Sequence, residues 1–395
     1  MSVFRPLLTL VTGAILSVSL TSLAWADSFQ VRLRVFPQDT QVFAAGVPLA
    51  STPETDTIRD VMVPSGVNRL SFGALGWEPV SAAIPEAVKQ GAVWSFKLEP
   101  DGTSLHKFAE FVVGRHPRGL AFTPDGKDII VATTEGLQTY TRRGKPVSSP
   151  AQKGAFTDAA LVKNTVAALN TDGTITLFPS TIPALNWGSS GKGSLAVLPG
   201  GRLAVLGWDD PSVSIIDVAA AKIVTSLKLD DMVTSAAPYA GGLVATQFNE
   251  GKLLWITPDG NLTTTSIGGN PRAAALAGSL VWIADMASGK VSAIDPQQKT
   301  VLFSVAVGPN PQTLAVSPNG KILAVALRGT NNPENFALQG PDYGQVQFLD
   351  AKTGAKLGYV WGRDQPMGLA WSPSGRFLAF TDFLTGDVEV YRISF

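Results

Sequence analysis

Short stretches in which apolar and polar residues alternate run along most of the chain, and Gly, Pro, Asn and Asp separate them. Phe29–Val35, Val67–Phe72 and Val93–Leu98 are three such stretches near the amino terminus. Alternation with a period of two residues predicts half-buried β-strands, and no stretch between them has the period of a helix. Residues 27–100 are therefore predicted to form a small β module, here the N-terminal module, with a solvated loop that contains Glu54, Asp56, Arg59 and Asp60.

The order of turn and strand motifs in this module resembles a known family. Phe36-Pro37, Val63-Pro-Ser-Gly66 and Gly76-Trp-Glu-Pro-Val80 each border a predicted strand, as in the PEGA family of small extracytoplasmic β-sandwiches. The chain departs from the family signature, because Gln38-Asp-Thr40 follows Pro37 where the family has Glu-Gly-Ala. The resemblance implies a β-sandwich that serves as an adhesion or spacer unit of the cell envelope and not as a catalyst.

A second pattern repeats from residue 105 to residue 395. Gly114–Lys127, Gly308–Lys321 and Gly362–Arg376 share a Gly-x-x-Pro motif, an apolar strand and a Pro-x-Gly turn, and the third segment has one extra residue before its first Pro. A weaker copy spans Gly269–Leu276, and degenerate copies fall near residues 154–162, 191–198 and 231–237. Seven units of about 42 residues fit the length of four-stranded propeller blades.

The strand order within one unit can be derived between residues 308 and 361. The pattern predicts strands a, b, c and d at Gln312–Ser317, Lys321–Leu327, Gln345–Leu349 and Lys356–Val360. Strand c of three units ends on an aspartate that is expected to cap backbone amides of the following turn. These aspartates are Asp217, Asp295 and Asp350.

Both ends of the repeat region carry an incomplete unit. The last unit ends on strand c at Val388–Phe395, and a spare strand, Leu105–Val113, precedes the first unit. Pairing of these two strands would remove an open sheet edge. The predicted fold class is therefore all-β, a seven-bladed β-propeller closed by an N-terminal strand and preceded by a small β-sandwich module. The predicted domains are residues 27–100 and 105–395.

The repeat Gly-x-x-Pro-x-x-Leu-Ala-Val-Ser-Pro-Asn-Gly, followed by Val-x-x-x-Asp, resembles the YVTN-type seven-bladed propellers over residues 105–395. The resemblance implies the fold. It leaves the function open, because these propellers include extracytoplasmic binding proteins, surface-layer components and lactonase-like enzymes.

Residues 1–26 have the features of a secretory signal peptide. Arg5 precedes an apolar stretch, Leu7–Leu20, and Ala24-Trp-Ala26 fits the small-x-small cleavage rule. The alternative is an uncleaved anchor, although Thr, Gly and Ser interrupt this short stretch. The protein is expected to be exported to the periplasm or the cell surface.

Composition narrows the chemistry further. Lys plus Arg and Asp plus Glu are both 31, and this balance disfavours a nucleic-acid partner. The chain has no cysteine, and its two histidines, His106 and His116, cannot form a His-rich metal centre. Gly188–Gly193 lacks the Walker spacing, and Asp350–Trp361 resembles the quinoprotein repeat only once. No metal, cofactor or catalytic residue is predicted, and the innermost strands offer few acidic residues.

The candidate site lies on the face that carries the d-to-a and b-to-c connections. The Gly-x-x-Pro connections contribute Arg115, His116, Arg118, Arg272, Arg363 and Asp364. Units seven and one are neighbours in a closed ring, so the residues of these two units are expected to crowd one sector of the mouth. The longest insertion, Gly329–Gly344, adds Asn331, Asn332 and Tyr343 on the same face, with Arg328 at its base.

These residues predict a binding site for an anionic or polyhydroxylated ligand, because the arginine fork suits carboxylate and phosphate. The alternative is that the arginines pair with nearby aspartates: Asp209, Asp285, Asp364 and Asp382. His116 occupies a turn position that Asn310 and Gln365 hold elsewhere, which favours a turn residue over a catalytic base. Among the aromatic residues, Trp208 and Phe383 are expected to be exposed.

The predicted function is an exported, non-catalytic binding or scaffolding protein of the cell envelope. Its partner would be an envelope protein, a glycan or a small anionic ligand, and no nucleic acid or membrane span is expected in the mature chain. Two alternatives stay open, a lactonase- or hydrolase-like propeller enzyme and a structural surface-layer component.

Overall fold

The computed structural model describes residues 27–74, 76–102, 104–178 and 184–395. The predicted signal peptide at residues 1–26 lies outside the described residues. Within the described part the regular secondary structure is almost entirely β-strand, and no helix there is long and apolar enough to cross a membrane.

Two four-stranded sheets make up the N-terminal module, with strand orders β4-β5-β1-β8 and β3-β2-β6-β7. The elements are β1 Ser28–Phe36, β2 Gln41–Ala44, β3 Val47–Pro48, β4 Ser51–Pro53, β5 Arg59–Pro64, β6 Arg69–Gly73, β7 Val80–Ala83, α1 Glu86–Lys89 and β8 Val93–Lys97. Strands β1 and β8 are parallel, and the other pairs are antiparallel. The apolar side chains of both sheets meet in one core, as in a small sandwich.

Two expectations for this module were wrong. Arg59 and Asp60 do not lie in a loop, because they begin β5, which pairs with β1. Val61 and Val63 of that strand are fully buried, and their alternation with Met62 was a strand signal. The single turn α1 also interrupts the strands, and four residues are too few to show a helical period.

In the described residues after the N-terminal module, β9 Leu105–Val112 and the strands that follow it form seven further four-stranded sheets. Sheets 1 to 3 contain β10 Gly119–Phe122, β11 Asp128–Ala132, β12 Gly136–Thr141, β13 Pro146–Lys153; β14 Phe156–Val162, β15 Thr165–Asn170, β16 Thr174–Phe178, β17 Leu185–Asn186; β18 Gly193–Leu198, β19 Arg202–Gly207, β20 Ser212–Asp217, β21 Lys222–Lys228. Sheets 4 and 5 contain β22 Val233–Tyr239, β23 Gly242–Gln247, β24 Lys252–Ile256, β25 Leu262–Ser266; β26 Pro271–Ala277, β27 Leu280–Asp285, β28 Lys290–Asp295, β29 Thr300–Ala306. Sheets 6 and 7 contain β30 Pro311–Val316, β31 Ile322–Leu327, β32 Gln345–Asp350, β33 Lys356–Trp361; β34 Pro366–Trp371, β35 Phe377–Asp382, β36 Asp387–Ile393.

Strand β9 completes sheet 7, whose order is β34-β35-β36-β9. It pairs antiparallel with β36, from Val112 opposite Asp387 to Leu105 opposite Ile393. This is the pairing that the two incomplete units predict. Val388 and Val390 of β36 are fully buried against residues of sheet 1, so the first and last parts of the repeat region share one core.

The first strand of each sheet contacts the first strand of the next sheet, and β34 of sheet 7 contacts β10 of sheet 1. Glycine permits the closest approaches. A Cβ on Gly119 would lie 2.6 Å from the Cα of Asp158, and a Cβ on Gly368 would lie 2.4 Å from the carbonyl oxygen of Arg118. Trp187, Trp255 and Trp282 are fully buried in the cores of these sheets, where large aromatic rings bury the most area.

Aspartates terminate the third strands as the sequence predicts. Asp217 accepts a hydrogen bond from the backbone amide of Ala220 at 3.0 Å. The Asp295 and Asp350 carboxylates each accept two amides of the turn that follows them. These carboxylates replace missing backbone acceptors in tight turns, so they serve the fold.

The N-terminal module packs against sheets 6 and 7. The Phe36 ring lies 4.9 Å from the Tyr343 ring and 4.7 Å from the Trp361 ring. Tyr359 and Trp361 of β33 also pack against the module core. Lys97 Nζ donates to the Trp361 carbonyl at 2.7 Å and to both oxygens of the buried Glu389 at 2.6 Å. Apolar and ionic contacts thus join the two parts of the chain.

Candidate functional site

A cavity of about 360 Å³ lies where the seven first strands meet. Residues of β10, β14, β18, β22, β26, β30 and β34 all line it. Arg118, Arg272, Gln312 and Trp208 lie where these strands begin, which is the face predicted to carry the site. This end is called the mouth below.

Arg118 precedes β10 and lies between two aromatic rings. Its guanidinium carbon is 4.7 Å from the centre of the Phe383 ring and 5.8 Å from that of Trp208. Burial lowers the pKa of this guanidinium, and the charge of Asp209 only partly opposes the effect. Aromatic faces attract a cation but do not neutralise it, so the charge stays available.

Arg272 in β26 packs on the Trp208 ring, as Arg118 does. Its guanidinium carbon is 4.5 Å from the Trp208 ring centre. With the Gln312 carboxamide oxygen turned toward it, Nε and Nη2 both donate to that oxygen at 2.8 Å. Burial lowers the pKa of Arg272 to about 9, helped by the charges of Arg328 and Arg118.

Arg328 follows β31 and is buried at the base of the long insertion. Its Nη2 donates to Gln365 Oε1 at 2.9 Å and to the Phe336 carbonyl at 3.4 Å. Its Nε is buried and has no hydrogen-bond partner among the described residues. Burial lowers its pKa to about 10, and the nearby charge of Arg118 contributes.

Arg118, Arg272 and Arg328 therefore form one group, called the arginine cluster. Their charges act on one another, because Arg118 and Arg328 both lower the pKa of Arg272. In the described parts of the chain no carboxylate forms an ion pair with any of the three. Partly buried cations without counterions are costly, and a bound anion would relieve that cost.

The expected crowding of Arg363 and Arg115 beside Arg118 is not what the structure shows. Arg363 forms an ion pair with Glu110 of β9, and its Nε lies 3.8 Å from Asp387. Burial would lower the Arg363 pKa, but the charges of Glu110 and Glu389 and the hydrogen bond to Glu110 raise it overall. Arg115 is exposed and does not line the cavity. Arg363 thus has carboxylate partners on β9 and β36, and neither is one of the aspartates expected for it.

His116 occupies a left-handed turn, with φ of 52°. Asn310 and Gln365 hold the equivalent positions with φ of 51° and 66°, so the backbone sets the role of all three residues. The His116 ring stacks on Phe383 at 4.6 Å, and burial and two arginines lower its pKa. Phe383 is buried, so its predicted exposure was wrong, whereas Trp208 is partly exposed at the mouth.

The long insertion Gly329–Gly344, called the mouth loop, holds its predicted site residues in different surroundings. Asn332 accepts from the Glu334 amide and donates to the Gln339 carbonyl, so it orders the loop itself. Asn331 Oδ1 is buried without a hydrogen-bond partner in the described chain. Tyr343 is buried against Phe36 of the N-terminal module.

Asp364 faces the N-terminal module as well. Its Oδ2 lies 3.6 Å from Arg34 Nη2 and accepts from Gln339 Nε2 at 3.1 Å. Burial raises its pKa to about 6. Asp364 and Tyr343 thus hold the module and the mouth loop together, and the structure does not bring them into the cavity.

Two cavity residues were not among the predicted site residues. Asp158 in β14 accepts the amides of Ala159 and Leu195, each at 2.8 Å, and burial raises its pKa to about 6. Thr157 beside it is buried, and its hydroxyl has no hydrogen-bond partner in the described structure. Asp158 could have been found as a charged residue inside an innermost strand. The second unit matches the repeat too weakly for that strand to be assigned from the sequence. Among the described residues no cluster of three or more acidic or histidine side chains could hold a metal ion.

Comparison with protein-family models finds no match. The chain is similar to Antigen Lp49 of Leptospira interrogans serogroup Icterohaemorrhagiae serovar copenhageni, with 36% identity over 113 residues. The matched region is 28% of this chain and spans only 25% of that protein's length.

Proposed function

We propose that residues 105–395 form a closed seven-bladed propeller of the YVTN type, with a PEGA-like module at residues 27–100. The cyclic contacts of the seven first strands support closure, as does the pairing of β9 with β36. A single cavity lined by all seven first strands fits the central channel of such a ring.

On this scaffold the protein would be an exported, non-catalytic binding protein of the cell envelope that takes a small anion at the mouth. The observation that carries the proposal is the arginine cluster, in which no member has a carboxylate partner in the described residues. The cavity volume lies within the range of small-molecule sites. The signal-like leader and the similarity to a protein named an antigen support export and an envelope location.

A hydrolase remains the second candidate because Asp158 supplies an acidic group inside the cavity. Its raised pKa would suit a general base near neutral pH. A lactone or ester would then be turned over by the protein and not by Asp158→Asn. Absence of turnover with saturable binding would favour the binding protein.

Thermal unfolding with sulfate, citrate and D-glucuronate tests the proposal, with glucose as the neutral control. The wild type and Arg115→Met are expected to gain thermal stability with the anions, because a ligand stabilises the state that binds it. Arg272→Met should lose most of that gain, since it removes a cavity-lining cation. Equal gains in wild type and Arg272→Met would contradict an anion site at the mouth.

A further inference from the structure

We propose that the cavity recognises one class of anion, a small molecule that also carries a hydroxyl or ammonium group. The anionic group would bind Arg118 and Arg272, the members of the arginine cluster that line the cavity, and the donor group would bind the Asp158 carboxylate in the same cavity. This inference rests on the proposed function, because it takes the arginine cluster as the anion site.

Asp158 retains acceptor capacity toward the cavity. Each of its oxygens accepts one backbone amide, Oδ1 from Ala159 and Oδ2 from Leu195. An ionised carboxylate offers about four lone-pair sites, so each oxygen keeps one for another donor. Because Asp158 lines the cavity and is not fully enclosed by protein, a ligand can supply that donor.

Thr157 provides an independent sign of a missing polar partner. The residue is 5% exposed, lines the cavity, and its Oγ1 has no hydrogen-bond partner in the described chain. A buried hydroxyl without a partner costs free energy that a hydrogen bond would recover. Consecutive strand residues normally face opposite ways, but the register of β14 shifts between Phe156 and Asp158, and both Thr157 and Asp158 line the cavity. A polar ligand group at this position would therefore meet both a hydroxyl and a carboxylate.

The opposite charges of Arg272 and Asp158 in the cavity favour a ligand that carries both an anionic and a donor group over a simple anion. Arg272 and Asp158 act on each other electrostatically, but the two are not close enough to form an ion pair. A carboxylate without a donor would gain from Arg272 and be repelled by Asp158. A ligand that carries both groups would satisfy both residues, so the donor should raise affinity more than a single exposed hydrogen bond does.

Isothermal titration with three six-membered-ring carboxylates tests the inference. Cyclohexanecarboxylate has no donor, D-glucuronate has hydroxyls, and trans-4-aminocyclohexanecarboxylate has an ammonium group. Wild type is expected to bind at least one donor-bearing ligand about tenfold more tightly than cyclohexanecarboxylate, as one or two buried hydrogen bonds imply. The preferred ligand separates the hydroxyl source from the ammonium source.

Asp158→Asn should reduce that preference severalfold, and more for the ammonium ligand, whose attraction depends on the negative charge. Thr157→Val is a second test in case Asp158→Asn does not fold, because it keeps the side-chain shape and breaks no observed hydrogen bond. It should also reduce the preference for donor-bearing ligands. Equal affinities of all three ligands for wild type would overturn the inference and leave the anion site standing. An undiminished preference in both variants would overturn it as well. Failure of every ligand to bind wild type would contradict the proposed function itself.

Discussion

In the arginine cluster, aromatic rings orient charges that no carboxylate among the described residues neutralises. Arg118 lies over Phe383 and Arg272 lies over Trp208. A cation–π contact contributes about 0.5–2 kcal/mol and leaves the edge of the guanidinium free to donate hydrogen bonds. The mouth therefore presents oriented donors to an incoming anion.

The pKa of Asp158 makes a prediction about stability. Burial raises this pKa from 3.8 to about 6, so the folded protein holds the proton more tightly than the unfolded chain does. The contribution of Asp158 to stability should therefore fall as pH rises from about 4 to about 6 and then stay constant. Asp158→Asn removes this dependence.

Urea unfolding between pH 4 and pH 7 measures this contribution of Asp158 to the free energy of unfolding. The stability of wild type relative to Asp158→Asn should fall by on the order of 2 kcal/mol over that range. Asp56→Asn, in an exposed loop, controls for the loss of one carboxylate. If the stability of wild type and of Asp158→Asn changed in parallel with pH, the pKa of Asp158 would not be raised in the folded protein.

Local backbone roles could be predicted from the sequence, whereas side-chain partners could not. The turn positions of His116, Asn310 and Gln365 follow from the repeat itself, because a left-handed turn depends on adjacent residues. The partner of Arg363 is Glu110, which lies 253 positions away in the chain. Which arginines stay free depends on such distant contacts, so the repeat alone placed Arg363 in the wrong group.

At the scale of elements, sheet 7 is held by a buried ionic group as well as by its ladder. Glu389 of β36 is fully buried and accepts from Lys97 of the N-terminal module at 2.6 Å. Lys107 of β9 lies 3.2 Å from it, and the Tyr391 hydroxyl donates to it at 3.1 Å. Burial alone would raise the Glu389 pKa, but these two lysines hold it well below its usual range.

Glu389→Gln is expected to destabilise the protein by about 3 kcal/mol, because it removes the nearest counterion of the buried Lys97 and leaves only Glu99, 3.9 Å away. Chemical unfolding of Glu389→Gln, Lys97→Met and the double variant measures the coupling. The double variant should be more stable than the sum of the single losses implies. Strict additivity would mean that the pair does not connect β36 to the module.

The elements differ in how far the sequence predicts them. Strand β9 could be assigned to the outer edge of sheet 7 because the strand count left one spare strand and one vacant edge. Strand β5 was missed because the charged Arg59 and Asp60 masked the buried alternation of Val61 and Val63. Polar residues at the start of a segment do not prevent it from pairing as a β-strand when the residues that follow alternate between apolar and polar.

At the scale of the molecule, the N-terminal module supports the mouth. Arg34 of β1 is buried, and its Nη1 donates to the Gly340 carbonyl of the mouth loop at 3.1 Å. It also lies 3.6 Å from Asp364 and 4.5 Å from the Tyr343 ring centre. Arg34 thus contacts the mouth loop, and Arg328 of the arginine cluster donates to the Phe336 carbonyl of the same loop. A spacer alone would not need such contacts.

Arg34→Met should therefore loosen the mouth loop and cost about 3 kcal/mol, because Asp364 stays buried without its ion-pair partner. Hydrogen–deuterium exchange should show faster exchange across residues 329–344. Arg69→Met, which removes an exposed arginine of the same module, should leave that exchange unchanged. Unchanged exchange in Arg34→Met would indicate that the loop holds its shape without the module.

The most direct test of the anion site is anomalous scattering from crystals soaked in sodium selenate, a tetrahedral dianion that arginine binds through its planar fork. Wild-type crystals are predicted to show a selenium peak at the mouth, in contact with Arg118, Arg272 or Arg328, and Arg272→Met crystals should lose it. Peaks confined to exposed residues such as Arg115, or the same peak in both crystals, would contradict the account.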